Sequence, residues 1–372
     1  IKATAVYSGM SRQEIITQLE NCIFGGYKFL YVSPERLSTD IFRIKMEAMQ
    51  VCLLVIDESH CISQWGYDFR PSYLNIAEIR DLLPGVPVLA LTATATPEVV
   101  NDIQERLRFK EKNVFQKSFA RKNLAYIVRK TEDKLNTLVY ILGKVPGTAI
   151  VYVRNRKRTK EIAVMLQQAG ISADFFHAGL NRDEKELRQA RWKNNECRVI
   201  VSTNAFGMGI DKPDVRFVVH YNMPKDIESY YQEAGRAGRD GNEAKCILLY
   251  SGQDVATNKF LINNSHDNPD LDDDTLEMIR KRDLMRLKKM TDYCNTNGCL
   301  REFILGYFGE KQDKPCQNCS GCLGDFGETE EVDVSVDCQK VLSCIYRLHQ
   351  RNLSFGAGVI AQILKGSDSE KV

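Results

Sequence analysis

An apolar run, Val51-Cys-Leu-Leu-Val-Ile56, ends abruptly in two adjacent carboxylates, Asp57 and Glu58, followed by Ser59 and His60. A buried parallel strand delivers charge to the C-terminal edge of a sheet in this way. Paired carboxylates at such an edge suit a nucleoside triphosphate. Asp57 would hold Mg²⁺ through its water shell, and Glu58 would orient and deprotonate the attacking water. An isolated Asp-Glu pair would more simply cap the helix that follows. Here it is followed by Cys61-Ile-Ser-Gln64-Trp65-Gly66-Tyr67-Asp68-Phe69-Arg70-Pro71, in which aromatic and polar residues alternate. Aromatics in a loop either fold back into the core or stack on something, and bases are one such partner, with Arg70 available to a phosphate.

Two later stretches carry complementary chemistry. Gln232-Glu-Ala-Gly235-Arg236-Ala-Gly238-Arg239-Asp240-Gly241 sets two arginines among glycines. One of them, reaching across a cleft, can stabilise charge on a transferring phosphoryl group; the alternative is surface salt bridging. Val201-Ser-Thr203-Asn-Ala-Phe206-Gly207-Met-Gly209-Ile-Asp211-Lys212 reads as a strand followed by a glycine-rich loop, whose backbone amides suit phosphates. Near the C-terminus, Cys316-Gln-Asn-Cys319-Ser-Gly-Cys322 forms a knuckle turned by Pro315 and Gly321, with Cys299 upstream. Four thiolates in tetrahedral array mean structural Zn²⁺. Disulfides belong to oxidising compartments, and iron–sulfur spacings differ. Cys294 is the rival for the first ligand; Cys299 is preferred because it starts a helix aimed at the knuckle.

These groups need elements to hold them. Candidate strands at Ala3–Tyr7, Lys28–Ser33, Val51–Ile56 and Val86–Leu91 alternate with helical stretches, the first capped by Ser11 with Glu14 completing a capping box. The same grammar restarts after a polar link around 118–133, with strands at Thr148–Val153, Val199–Thr203, Phe217–Tyr221 and Lys245–Tyr250. Alternation of this kind means α/β architecture with doubly wound parallel sheets. Beyond about residue 256 the strands stop. Asn263–Asp274 reads as an acidic loop and Thr275–Tyr293 as one long helix crowded with Arg280, Lys281, Arg282, Arg286, Lys288 and Lys289. That helix is either a solvated face or a phosphate-tracking one. Helices at Asp337–Gln350 and onward to Leu364 follow an acidic linker at Glu328–Val334.

Composition bounds the classes. The chain has 372 residues, 43% hydrophobic and 27% charged, ordinary for a soluble globular protein of about two to three domains. A net charge of +2 neither demands nor excludes nucleic acid, which needs only a local basic stripe. No apolar stretch approaches a membrane span, and no signal peptide is visible.

The sequence resembles the RecQ DNA helicases of helicase superfamily 2. The resemblance rests on Ser33-Pro-Glu-Arg-Leu37, Asp57-Glu-Ser-His60, the loop from Gln64 to Pro71, Leu91-Thr-Ala-Thr-Ala-Thr96, Phe176-His-Ala-Gly-Leu180, the stretches Thr203–Asp211 and Gln232–Gly241, and the four cysteines. It covers essentially the whole chain. It implies ATP-driven 3′-to-5′ unwinding of DNA in recombination, repair and replication, with a cytoplasmic, nucleoid-associated bacterial setting and the SOS response as its context. It implies two RecA-like domains (1–117 and 118–255), a helical zinc module (256–330) and the start of a winged helix (331–372). ATP, Mg²⁺ and Zn²⁺ are the implied cofactors. Single-stranded and duplex DNA are the implied partners, with a single-stranded-DNA-binding protein as a further candidate and no membrane.

By position, Asp57 and Glu58 become the Mg²⁺-binding and water-activating carboxylates. Arg239, with Arg236 beside it, becomes the arginine finger, and Gln232, Gly209 and Asp211 complete the nucleotide set. Gln64, Trp65, Tyr67, Phe69 and Arg70 would couple single-stranded DNA to hydrolysis. Thr92 and Thr94 would link the two sites, and Ser33, Pro34, His177 and Thr203 would line the DNA path. Departures are equally plain. No Gly-x-x-x-x-Gly-Lys-Ser/Thr occurs in the chain, and Tyr67 stands where the family usually has His. The opening Ile1-Lys-Ala-Thr reads as the middle of a fold. The chain is therefore expected to be a fragment, with the phosphate-gripping lysine before Ile1 and the winged helix cut short, and to hydrolyse ATP poorly by itself. An RNA-dependent ATPase of the same superfamily and a non-catalytic nucleic-acid-binding scaffold are the competing readings.

Overall fold

The structure, a computed structural model, describes residues 1–7, 9–207, 210–264, 273–324, 333–351, 353 and 355–366. Gly209 lies outside the described residues, as do most of the acidic stretch expected at 263–274 and much of the linker expected at 328–334. The chain divides into two compact units, Ile1–Asp325 and Phe326–Val372.

The first unit opens with β1 (Ala3–Val6), α1 (Arg12–Phe24), β2 (Phe29–Val32), α2 (Asp40–Glu47), β3 (Leu54–Ile56), α3 (Asn75–Leu82), β4 (Val88–Ala90) and α4 (Pro97–Arg106). The Ser11 hydroxyl accepts from the Glu14 amide and the Glu14 carboxylate accepts from Ser11, so the expected capping box forms. All pairing is parallel, but among the described residues it falls into two separate ladders, β1 with β2 and β3 with β4. One face is covered: Val6, Leu19, Phe42, Met46, Ile56, Ile62, Val99 and Ile103 form a continuous core. On the other face Phe29, Tyr31, Val55 and Leu89 are exposed. The strand before Asp57 is thus three residues rather than six, and only its Ile56 is buried.

The second half of the unit is a six-stranded sheet, all parallel, in the order β5-β10-β9-β6-β8-β7. Its elements are β5 (Leu124–Lys130), α5 (Lys134–Lys144), β6 (Thr148–Tyr152), α6 (Arg156–Gln168), β7 (Ala173–Phe176), α7 (Arg182–Lys193), β8 (Val199–Ser202), β9 (Val215–His220), α8 (Ile227–Ala234) and β10 (Ala244–Tyr250). Strand β5 corrects the expectation of a polar link across 118–133. Leu124, Tyr126 and Val128 point inward and the alternate residues do not, the pattern of a strand covered on one side.

One face of this sheet is covered by Leu138, Leu142, Ile162, Ala163 and Leu166 of α5 and α6. The other is covered by α8 and by the segment that follows: α9 (Gly252–Asn264), α10 (Asp273–Asn295) and α11 (Leu300–Tyr307). Leu287, Met290, Tyr293, Leu300, Ile304 and Phe308 share a core with Tyr126 and Val218 of the sheet and Tyr230 of α8. The second unit, by itself, contains α12 (Ser335–Gln350) and α13 (Ala357–Leu364). No helix among the described residues is long and apolar enough to cross a membrane.

Candidate functional site

Asp57 and Glu58 leave the end of β3 through an unusual turn. Glu58 has φ +49° and ψ 41°, a left-handed conformation that costs a non-glycine residue about 1–3 kcal/mol. It precedes a short 3₁₀ turn, Ser59–Ile62, and makes no side-chain cap bond there, so the capping reading does not apply to it. Its half-buried carboxyl is raised above the usual range, by burial first and by neighbouring Asp57 second, with Arg236 and Arg70 opposing.

His60 ties this turn to the next sheet segment. Its Nδ1 lies 3.0 Å from Thr92 Oγ1 and 3.4 Å from Glu58 Oε2. Burial pushes the imidazole down to about 4, so it is neutral at physiological pH and its contact with Glu58 is not an ion pair. Thr94 donates its amide to Thr92 Oγ1 at 3.3 Å. Tyr67 stacks on the His60 ring, centroids 4.6 Å apart and planes at 12°. The tyrosine therefore occupies a seat against the turn that carries Glu58, and burial raises its phenol well above the ordinary value.

The aromatic loop is held by groups far away in sequence. Gly66 is packed so closely that a Cβ would sit 2.4 Å from His60 O. Ser63 donates to Asp102 of α4 at 2.6 Å. Lys225, just before α8, donates to Tyr67 O at 3.4 Å. The Arg282 guanidinium lies 5.5 Å from the Trp65 ring centroid, and Arg286 donates to Trp65 O. The crowded helix is thus not simply solvated: Arg282 is buried, and Arg286 also lies within reach of Glu228 at 3.8 Å and Asp283 at 3.3 Å. Sequence reading missed these clamps, since Arg286 and Trp65 are 221 positions apart; the basic run on α10 was the only signal. Arg70, expected to be free for phosphate, is paired with Asp68 Oδ2 at 2.6 Å through Nη2 and 3.1 Å through Nε. Gln64 and Phe69 are half-buried.

From the second half, Gln232 Nε2 donates to Glu58 Oε1 at 3.4 Å. Arg236 donates to Gly207 O, and its charge is felt at Glu58. Arg239 is turned to Ile210 O and Asp211, both at 3.2 Å. Thr203 is buried at the end of β8, where its hydroxyl accepts the Ala205 amide at 3.4 Å. Ser33 and Pro34 start a 3₁₀ turn whose Glu35 accepts from Ser72, at the end of the aromatic loop, at 2.9 Å. His177 lies beside Phe175 and Arg156, apart from the cluster around Glu58.

The four cysteines converge. Cys299, Cys316, Cys319 and Cys322 place their sulfurs within 4.8 Å of one another, whereas Cys294 is buried elsewhere in the core. The sulfurs accept backbone amides: Leu300 to Cys319 and Cys316 to Cys299 at 3.3 Å, Asn318 to Cys316 at 3.4 Å. Burial raises Cys299, but the Cys316 and Glu302 backbone amides together with the Cys316 and Cys322 thiols outweigh it and bring the thiol down to about 7. A donor set of four mutually close, amide-stabilised sulfurs fits Zn²⁺.

Comparison with known proteins places these features in order along one chain. Family models match for the DEAD/DEAH box helicase over residues 1–103, the helicase conserved C-terminal domain over 133–241, RecQ zinc-binding over 252–323 and the RQC domain over 328–372. The ATP-dependent DNA helicase RecQ of Bacillus subtilis is 44% identical over 375 residues, spanning 100% of this chain and 61% of the relative. The chain belongs to the RecQ family of superfamily 2 helicases. The RecQ-like DNA helicase blm-1 of Caenorhabditis elegans is 38% identical over 91% of this chain and 35% of that relative. The chain therefore spans from about a third to three-fifths of these RecQ relatives. Among solved structures, Saccharomyces cerevisiae Dbp5 bound to RNA and ADP BeF3 superposes with a TM-score of 0.52 at 16% identity, covering 76% of this chain and 74% of that one. That likeness shows the fold alone. The four-cysteine cluster lies within the RecQ zinc-binding match.

Proposed function

We propose that the protein is an ATP-dependent DNA helicase that moves 3′ to 5′ along single-stranded DNA, with its two RecA-like sheets closing on ATP·Mg²⁺. The observation that carries this reading is the Gln232–Glu58 contact, which joins the second half to the paired carboxylates while Tyr67 and His60 join those carboxylates to the aromatic loop. Asp57 would hold Mg²⁺, Glu58 would activate water, and Arg239 and Arg236 would meet the phosphoryl charge. Asp211 would contribute to binding the phosphates, and Gly209, outside the described residues, is proposed for the same role. Gln64, Trp65, Phe69 and Arg70 engage single-stranded DNA, with Arg70 released from Asp68 when a phosphate competes. Thr92 and Thr94 carry the signal, and Ser33, Pro34, His177 and Thr203 line the strand's path.

The working divisions are 1–117, 118–255, 256–330 and 331–372. Single-stranded and duplex DNA are the partners, recombination and repair are the setting, and a single-stranded-DNA-binding protein is a further partner. No Gly-x-x-x-x-Gly-Lys-Ser/Thr lies within the 372 residues to grip phosphates, so these residues alone hydrolyse ATP poorly.

The test is ATP hydrolysis by the full-length protein without nucleic acid, with single-stranded DNA and with RNA, beside the 372-residue chain. Stimulation by DNA and not RNA supports the reading. Equal stimulation by RNA favours an RNA-dependent ATPase, and binding without hydrolysis favours a scaffold. A pH profile adds a check on Glu58. A base must be ionised, and the Glu58 carboxyl is raised, so activity is present above its pKa and lost as pH falls through it. The acid limb of kcat/KM is expected to have its midpoint above the ordinary glutamate value of about 4.3. A midpoint at or below that value contradicts the role.

A further inference from the structure

Helix α8 touches both ends of the segment that runs from Glu58 through the aromatic loop. Just before its first turn, Lys225 donates to Tyr67 O at 3.4 Å and lies 3.8 Å from Asp226, whose Oδ1 caps α8 by accepting the Ser229 amide at 2.7 Å. On the same turn Glu228 accepts from Tyr307 at 2.7 Å and faces the Arg286 guanidinium at 3.8 Å. That guanidinium in turn donates to Trp65 O. Four residues on, and so on the same face one helical turn away, Gln232 donates to Glu58. The helix cannot flex easily between these points. Ile227, Tyr230 and Ala234 are fully buried against the sheet, and Tyr293 donates to the Tyr230 hydroxyl at 3.3 Å. A close-packed helix moves as a body.

We propose that Arg286 and Glu228 are positioning residues for the hydrolytic step: through α8 they link the aromatic loop to the Gln232–Glu58 contact. The link rests on the DNA-stimulated ATPase reading above. Both act through Trp65 O and helix α8 rather than on Glu58 itself. Arg286 suits the task because a guanidinium offers donors in several directions from one plane, and here it meets Trp65 O, Glu228 and Asp283 together. A loop displaced by a DNA strand pulls on Arg286 and hence on the first turn of α8. Removing either partner leaves loop and carboxylate each in place but uncouples them.

The experiment compares full-length wild type with Arg286→Ala, Glu228→Gln and the double variant, using a single-stranded oligonucleotide. Arg280→Ala serves as control, because Arg280 is an exposed arginine on the same helix. For Arg286→Ala the ratio of DNA-stimulated to basal turnover is expected to fall about tenfold or more, with oligonucleotide affinity and basal turnover changed less than about threefold. The double variant is expected to be no worse than Arg286→Ala, since the two residues act in one chain of contacts. Arg280→Ala is expected to behave as wild type.

Trp65 emission supplies a readout that general destabilisation would not move. Of the two tryptophans in these 372 residues Trp192 is fully buried and Trp65 is exposed, so the part of the DNA-dependent change that is lost in a Trp65→Phe control belongs to Trp65. In Arg286→Ala that change is expected to persist although hydrolysis no longer follows it. Retained stimulation in Arg286→Ala overturns the proposal, as does basal turnover raised to the DNA-activated level. An equal loss in Arg280→Ala also overturns it, since that would be a loss of phosphate attraction. If wild type shows no stimulation, the helicase reading itself fails; if wild type is stimulated and Arg286→Ala equally so, only the α8 link fails.

Discussion

Arg239→Ala in the full-length protein is expected to lower DNA-stimulated ATP turnover by about 10³-fold or more while leaving single-stranded DNA affinity within about threefold. The size of the effect separates two roles. In this structure Arg239 pairs with Asp211, and the two side chains are 39% and 83% exposed. An exposed pair of that kind contributes about 0–1 kcal/mol, so a salt-bridging role predicts a slight change in melting temperature and no change in chemistry. A thousandfold loss corresponds to about 4 kcal/mol of transition-state stabilisation, which that surface pair cannot supply. Steady-state hydrolysis, oligonucleotide anisotropy and a melting curve on the same preparation decide between them. A parallel loss of binding and turnover, or a loss under about tenfold, would sink the finger assignment.

Arg236→Ala is the instructive contrast. Its guanidinium fills the space beside Gly207, where a Cβ would come within 2.2 Å of it, and it donates to Gly207 O. Its removal therefore disturbs the glycine-rich loop as well as the charge near Glu58.

What could be read from the sequence was what is local. The capping box at Ser11 and Glu14 needs four residues, and the cysteine knuckle needs seven; both formed as read. The central strands of the second sheet are apolar on both faces and announce themselves, as in Val199–Ser202, buried throughout. Strand β5 escaped because it lies at the sheet's edge. Its Lys130 and Arg129 face away from the core, and its flanks Arg121, Lys122 and Asn123 are polar, so the alternation was lost in its surroundings. The aromatic loop was legible as a loop that must bind something. Its intramolecular partners were not, because Arg282, Arg286, Lys225 and Asp102 come from three separate elements brought together only by packing. The carboxylate pair was legible as chemistry, yet its geometry was not: nothing in Asp57-Glu58 signals a left-handed glutamate.

Cys319→Ser is expected to cost the protein its fold around the second sheet before it costs chemistry. Structural zinc sites contribute on the order of 10–16 kcal/mol of apparent binding free energy, comparable to the whole stability of a domain. Here that energy is spent on a shared core rather than on an isolated knuckle. Cys319 is fully buried in the same cluster as Tyr126, Tyr230 and Trp192. The next residue, Ser320, donates its amide to Tyr126 O at 3.0 Å and accepts the Val128 amide on its hydroxyl at 3.1 Å. The knuckle thereby occupies the outer edge of β5, which would otherwise present open backbone groups to another chain. Gly321 leaves no room for a side chain, since a Cβ there would lie 2.1 Å from Gly298 O.

Losing the ion should therefore undock α11 and uncover a sheet edge together. The expected result is a sharp fall in soluble yield, no bound zinc by elemental analysis, and aggregation on warming. Stripping zinc from the wild-type protein with a chelator should do the same, and zinc restored before aggregation should reverse it. A zinc-free Cys319→Ser protein that stays soluble with undiminished turnover would mean that packing of Leu300, Ile304 and Phe308 holds the edge without the metal.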